Sequence, residues 1–368
     1  MKNRYYFIDN LRWVTVLLVL FYHVFYNYNS LGVFGAVGGF TERQWQDVVM
    51  YPIYPWFMLL MFILAGTSSH YALQNRTPQE FRRERTRKLL VPSTLGLLVF
   101  GWILGLLNTQ AAAATLPEGI PSFVKYLIAV MSGTGPLWFI QDLFVFSLLL
   151  LVVRRVVDVE KVHSWLAKIS DRSIILLLVA LLFVVWGVAQ TQFDQPVNAQ
   201  GLINLYRPIF YFVAFLCGYY IFSSERIHSL LAAKALWLTI AAVGCAILFT
   251  ICTFGKDYTH PSIVQSLGYN TFAWVATLAM IGGFKRWADH TSPFADYMTR
   301  SSFGLYVTHM TVCTAACLWL KTTSLPVWAD YALALVATYV GAVVLWEVLR
   351  RIPFVRYCVF GIKGKRGK

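Results

Sequence analysis

The chain has 368 residues, of which 58% are hydrophobic and only 13% are charged. Soluble domains carry about 25% charged residues, so this composition, with a mean hydropathy of +0.59, excludes a soluble protein and leaves no room for a second, soluble domain. The net charge of +14 does not indicate nucleic-acid binding. The basic residues lie in short segments between apolar runs, where they fix topology and contact anionic lipid headgroups.

Ten apolar runs approach the length of about 20 residues that a helix needs to cross the hydrocarbon layer. They predict an all-α, polytopic membrane protein with about ten transmembrane helices. The third run contains Pro92, which we place in the first turn of its helix because proline is tolerated there. The candidate spans are 10–29, 51–73, 89–107, 136–153, 173–190, 205–222, 235–254, 267–284, 301–320 and 327–349.

An even number of spans places both termini on the same side of the membrane. Of the 31 basic residues, 25 then lie on the side of the termini, five lie on the other side, and Arg12 lies within a span. The positive-inside rule therefore predicts cytoplasmic termini in a multi-pass protein of the inner membrane. We divide the chain into a membrane domain, 1–350, and a basic cytoplasmic tail, 351–368.

Two connecting segments stand out. The Gly-rich segment 30–50 is expected to face outward. The segment 108–135 contains an apolar run that is too short to cross the membrane, which indicates an interfacial or re-entrant piece.

The first span carries two ionisable residues in the stretch "RWVTVLLVLFYH". Arg12 and His23 are eleven positions apart, which returns them to within ~20° of one helix face and separates them by ~16 Å along the axis. A charge at the bilayer centre costs roughly 2.5–3.5 kcal/mol, so such residues are candidates for function. The alternative is a snorkelling arginine with a hydrogen-bonded core histidine.

Two further polar residues are predicted at about the depth of His23. Asp142 on the fourth span could hold an imidazole in one tautomer, or it could pair elsewhere or be protonated. His309 on the ninth span shares a face with Ser302 and Tyr306. This face is either part of a site or a structural network.

The segment "RTPQEFRRERTRKLLVP" leads into the third span. Its basic residues are more numerous than orientation requires, so they could bind a polyanion such as a nucleotide phosphate. The alternative is an ordinary topology signal. Arg207 and Glu347 lie at span ends and are expected to be interfacial. An acyl group with a second carboxylate, such as succinyl, would require an additional cation near the site, and Arg207 is expected to be too exposed to indicate one.

Five segments, in order, resemble the acyltransferase 3 family of membrane O-acyltransferases. The segment "YYFIDNLRWVTVLLVLFYH" contains the arginine, ten residues and histidine typical of the family's first span, and "SSFGLYVTHM" is similar to its Ser-x-Gly-x-Tyr-x-x-His segment. Between them lie "FMLLMFILAG", "RRERTRKLLVP" and "GPLWFIQDLFVFSLL". The opening and the Leu-Val-Pro of the basic segment resemble glucan biosynthesis protein C-like members.

The resemblance implies transfer of an acyl group, of the acetyl or succinyl class, from cytoplasmic acyl-CoA to a hydroxyl of an envelope glycan or other acceptor. Acetyl-CoA is the expected donor, and no metal is expected because the cysteines and histidines lack ligand spacing. His23 is implied as the general base, with Arg12 as its partner in the motif. The candidate residues are His23, Arg12 and Asp142 for catalysis, Arg82, Arg85, Arg87 and Lys88 for the donor, and Trp138, Tyr306 and His309 for the substrate.

Two other functions fit the same residues. A proton-coupled transporter or flippase could use the buried ionisable groups as a relay, and a non-catalytic membrane partner would need neither Arg12 nor His23. The sequence does not specify the acyl group, the acceptor, the oligomeric state, or whether an acyl-enzyme forms.

Overall fold

A computed structural model describes four ranges of the chain: 5–32, 36–112, 119–192 and 205–363. It is 79% helical, without a strand in these ranges, which confirms the all-α fold. Lys2 and Arg4, which contributed to the charge count, and 364–368 of the predicted tail lie outside the described residues.

We number the main helices in chain order. They are α1 (Tyr6–Asn27), α2 (Tyr54–Leu73), α3 (Pro78–Ala111), α4 (Ser122–Ser132), α5 (Trp138–Val153), α6 (Val159–Lys168), α7 (Asp171–Gln190), α8 (Pro208–Tyr220), α9 (Glu225–Ala233), α10 (Ala235–Thr253), α11 (Leu267–Trp287), α12 (Pro293–Leu320), α13 (Val327–Leu349) and α14 (Pro353–Phe360).

Eight helices in the described ranges are long and apolar enough to cross a membrane, and they coincide with eight of the ten predicted spans. The other two predicted spans also form helices. The helix in 205–222 is only 13 residues long, and the helix in 267–284 has 21 residues but does not meet the same measure of length and hydropathy.

Helix α3 begins well before the predicted third span. Thr77 caps it through reciprocal hydrogen bonds with Glu80, an arrangement that satisfies amide groups at a helix start. The prediction that Pro92 lies in the first turn is therefore wrong. The turn Thr86–Leu90, which ends two residues before Pro92, is a π-helix, and this wider turn accommodates the missing N–H and the bulk of the proline ring.

The predicted short segment within 108–135 contains helix α4, which packs against α3. A Cβ on Gly105 would come within 1.7 Å of the carbonyl oxygen of Ala129, so the two backbones are in direct contact. The hydroxyl of Tyr126 donates to the carbonyl of Leu98 at 2.6 Å. The first part of the predicted tail is also helical: α14 packs mainly on α3, and its Phe360 contacts Trp346 of α13 with ring centroids 4.7 Å apart.

Helix α1 lies between α2 and α12 and contacts both. Along α1, Arg12 contacts α2 and His23 contacts α12, at two different depths in the bundle. We call the end of the bundle that carries Arg12, Arg85 and Lys285 the basic end. The opposite end carries Lys321, whose ammonium donates to the carbonyls of Val37, Gly38 and Gly39 and holds part of the predicted outward segment against α12.

Candidate active site

Two histidines from different spans are in direct contact. Nδ1 of His23 on α1 lies 2.7 Å from the carbonyl oxygen of Val19 and 3.4 Å from Nε2 of His309 on α12. Their ring centroids are 5.0 Å apart. The sequence placed both residues at similar depth but did not pair them, because packing of α1 against α12 brings them together.

The hydrogen bonds assign the proton positions on both rings. Nδ1 of His309 lies 2.7 Å from the carbonyl oxygen of Tyr306, and a carbonyl oxygen can only accept. Each neutral ring therefore carries its proton on Nδ1 and a lone pair on Nε2. His309 is fully buried, but His23 is half-buried, and its Nε2 has no hydrogen-bond partner in the described ranges. This nitrogen is suited to accept a proton from a substrate.

Asp142 makes no hydrogen bond to either histidine. It is fully buried, and neither carboxyl oxygen has a hydrogen-bond partner among the described residues. It lies within electrostatic range of Tyr306 and Tyr211. The predicted hydrogen bond from an imidazole to Asp142 is therefore not present for His23, whose Nδ1 instead lies against the carbonyl of Val19, one turn earlier on the same helix.

The three predicted substrate residues fall into two groups. Tyr306 contacts His309, with ring centroids 5.8 Å apart, and its hydroxyl donates to the carbonyl of Pro136. Trp138 instead packs against Tyr206 and Tyr211, with centroids 5.2 and 5.7 Å away. Trp138 therefore belongs to an aromatic cluster with Tyr206 and Tyr211 rather than to the histidine pair.

Arg207 packs against the same aromatic cluster. The sequence did not predict this contact. Its side chain is only 3% exposed, and its guanidinium carbon lies 3.8 Å from the ring centroid of Phe210 and 5.6 Å from that of Tyr211. The expectation that Arg207 is too exposed to indicate a carboxylate on the acyl group is wrong, because the residue is buried. Its backbone, directly before Pro208, has φ of 46°, a left-handed conformation that costs about 1–3 kcal/mol.

Arg12 reaches α2 at the basic end. One guanidinium nitrogen donates to the hydroxyl of Ser68 at 2.5 Å, and another lies 3.4 Å from the Asp9 carboxylate. Arg12 lines a cavity of about 540 Å³ with His70, His163 and other polar residues. The cavity therefore begins ~16 Å from His23 along the helix.

A second, larger groove of about 1000 Å³ lies beside α3 at the same end. Two of the residues predicted to bind the donor, Arg82 and Arg87, line it together with Arg76, Arg83 and Lys363. Arg76 and Arg83 belong to the basic segment singled out in the sequence, whereas Lys363 was missed because it comes from the distant C-terminal segment.

The other two predicted donor residues do not line this groove. Arg85 donates to the hydroxyl of Ser69 on α2 at 2.9 Å and stacks over Phe81 at 4.7 Å. Lys88 forms an ion pair of 2.6 Å with Glu84. The groove and the smaller cavity share Asn75, so they lie on two sides of the end of α2.

Within the described ranges, no group of three or more histidine, cysteine or acidic side chains is arranged to hold a metal ion.

Comparison with known proteins shows the family of the chain. Residues 5–347 match the acyltransferase domain of the acyltransferase 3 family. The chain belongs to this family. It is also 22% identical to the glucans biosynthesis protein C of Shigella boydii serotype 4 and to that of Escherichia coli strain K12, with alignments that cover 98% of this chain and 95% of each relative. No solved structure matches the chain.

Membership in the acyltransferase 3 family confirms the resemblance found in the sequence and makes the protein an acyltransferase. The paired histidines and the basic end are therefore features of a membrane acyltransferase.

Proposed function

We propose that this acyltransferase moves an acyl group from acyl-CoA on the cytoplasmic side to a hydroxyl of an envelope glucan or related glycan. The observation that carries the proposal is the geometry of the half-buried His23, whose Nδ1 is fixed by the Val19 carbonyl and whose Nε2 has no hydrogen-bond partner in the described ranges. The acceptor class rests on the two relatives, which are named as glucans biosynthesis proteins.

The proposal places the basic end at the cytoplasmic face of the inner membrane. Ten crossings give an orientation in which 25 basic residues lie on the side of both termini, in accord with the positive-inside rule. In this proposal α8 and α11 also cross the membrane and bring the eight long apolar helices to ten crossings.

The donor is assigned to the basic end because its phosphates require cations. Arg82, Arg83 and Arg87 line the groove and supply guanidinium groups, which bind phosphate in bidentate geometry. Arg12 lies at the second cavity, and an extended thioester arm has ~16 Å to cover from there to His23.

The reaction follows from the lone pair on Nε2 of His23. The acceptor hydroxyl oxygen attacks the thioester carbonyl carbon, and its proton passes to Nε2. The C–O bond forms as the C–S bond breaks, and the proton then passes from Nε2 to the departing thiolate. The products are the ester and the free CoA thiol, and His23 is neutral again.

The test is transfer by the purified full chain in lipid nanodiscs, with acetyl-CoA or succinyl-CoA as donor and glucan oligosaccharides as acceptor. Thiol release and mass spectrometry of the oligosaccharide report the reaction. We expect His23→Ala to lower kcat by at least about 100-fold, whereas His260→Ala, at an exposed histidine, changes nothing.

Asp142→Asn is expected to reduce kcat far less than His23→Ala, because Asp142 makes no hydrogen bond to the imidazole. Transfer by His23→Ala at the wild-type rate contradicts the mechanism. Uptake of a solute into vesicles without acyl transfer contradicts the proposed function and indicates a transporter.

A further inference from the structure

The contact between the two histidines assigns a specific role to His309. We propose that His309 is a positioning residue that accepts the Nδ1 proton of His23 in a hydrogen bond and stabilises the imidazolium formed during transfer. This inference rests on the proposed function of His23 as general base.

The direction of the hydrogen bond follows from the neighbours of each ring. The Tyr306 carbonyl, 2.7 Å from Nδ1 of His309, keeps a proton on that nitrogen. Nε2 of His309 is therefore an acceptor, and it faces Nδ1 of His23 at 3.4 Å. The Nδ1–H of His23 is shared between this lone pair and the Val19 carbonyl.

In this arrangement His309 helps to stabilise the positive charge of the His23 imidazolium, while the Nδ1 proton stays on His23. If Nδ1 of His23 gave up its proton, its lone pair would face the Val19 oxygen at 2.7 Å, and two acceptors at that distance repel. When Nε2 takes the acceptor's proton, the positive charge on His23 is instead solvated by two fixed acceptors. A base oriented by a third group in this way resembles the logic of catalytic triads.

Burial makes the second acceptor effective. His309 is fully buried between α1 and α12, and its ring is held against Tyr306. An acceptor fixed in a site without water stabilises developing charge without reorganisation. His309 thus provides what a carboxylate provides in other acyltransferases and hydrolases, without adding a formal charge to the membrane interior.

The inference is tested by changing only the acceptor at position 309. His309→Leu and His309→Phe remove it, and the phenyl ring of the latter retains the contact with Tyr306. His309→Gln retains an acceptor oxygen. We expect His309→Leu and His309→Phe to lower kcat by about 10- to 100-fold, which corresponds to the loss of a hydrogen bond to a charged group. KM for acyl-CoA should be unchanged in both. His309→Gln should recover most of kcat.

The matched control is Thr314→Val, a buried residue on the same helix whose hydroxyl has no hydrogen-bond partner in the described ranges. Normal kcat in His309→Phe, with His23→Ala inactive, overturns the role of His309 and leaves the proposed function intact. An equal loss in the Phe and Gln variants also overturns it. Absence of transfer by the wild-type protein with every donor contradicts the proposed function itself.

Discussion

Arg12 and Arg85 donate hydrogen bonds to two consecutive serines of α2, Ser68 and Ser69, at 2.5 and 2.9 Å. Cations from α1 and α3 are thereby fixed on the same turn of α2 at the basic end. Each guanidinium has five N–H donors, so both retain capacity to bind an anion while anchored. This geometry connects the first-span motif with the basic segment, two features that the sequence shows separately.

We predict that replacing Arg12 mainly weakens binding of the donor. Arg12→Ala should raise KM for acyl-CoA by about 10-fold or more, the value of one hydrogen bond to a charged group. Arg12→Lys should recover only part of this loss, because an ammonium lacks the planar fork. Steady-state kinetics in nanodiscs gives KM and kcat separately.

The control for Arg12 is Arg350→Ala, which removes a cation paired with Glu347 away from both cavities. A kcat loss in Arg12→Ala with normal KM would show that Arg12 acts in the chemical step instead.

The groove beside α3 predicts a salt-dependent contribution to donor binding. The double variant Arg82→Ala/Arg87→Ala should weaken binding of CoA and reduce its dependence on ionic strength, since partly exposed charge pairs are screened by salt. Lys88→Ala should have little effect, because Lys88 is engaged by Glu84 at 2.6 Å. Titration calorimetry at two salt concentrations measures both. Equal losses in the two variants would place the phosphates elsewhere.

Close packing of α2 on α8 predicts a stability defect. A Cβ on Gly66 would lie 1.9 Å from the carbonyl oxygen of Phe215, and one on Gly218 would lie 2.1 Å from that of Ile63. Gly66→Ala should therefore destabilise the fold by about 1–3 kcal/mol. Gly244→Ala, on a helix face with nothing within 4 Å, should be neutral or stabilising. Thermal unfolding in detergent compares the two, and similar midpoints would contradict the packing.

The ion pairs of Glu225 at the basic end should make the free energy of unfolding depend on pH. Its carboxylate lies 3.6 Å from His228 and 3.1 Å from Lys285, and the interaction with His228, then that with Lys285, lowers its pKa from 4.5 to about 2. The stabilisation is therefore complete above about pH 4.5 and is lost as the pH falls towards 2.

The measurement for Glu225 is the unfolding midpoint of Glu225→Gln between pH 7 and pH 3. We expect a lower midpoint than wild type at pH 7 and a difference that shrinks below about pH 4.5. The effect should be modest because the side chain is half-exposed. Glu160→Gln, at an exposed helix start, is the control, and a difference independent of pH would contradict the ion-pair interpretation.

Local signals predicted some helix boundaries and failed at others. Helix α13 was predicted with its observed bounds, 327–349, because Pro326 and the end of the apolar run coincide with the helix ends. Helix α12 begins at Pro293, eight residues before the predicted span. Ser292 caps it and Pro293 occupies its first turn, but hydropathy detects only the part of a helix that is apolar.

The sequence by itself determined that this is an all-helical membrane protein with an arginine and a histidine ~16 Å apart on the first span, because hydropathy and helical periodicity are local properties. Only the tertiary structure decided what each residue contacts. It paired His23 with His309, left Asp142 without a hydrogen bond to the imidazole, and buried Arg207 among aromatic rings. These outcomes depend on which helix faces meet, and the packing that selects them is not encoded in the spacing of any one segment.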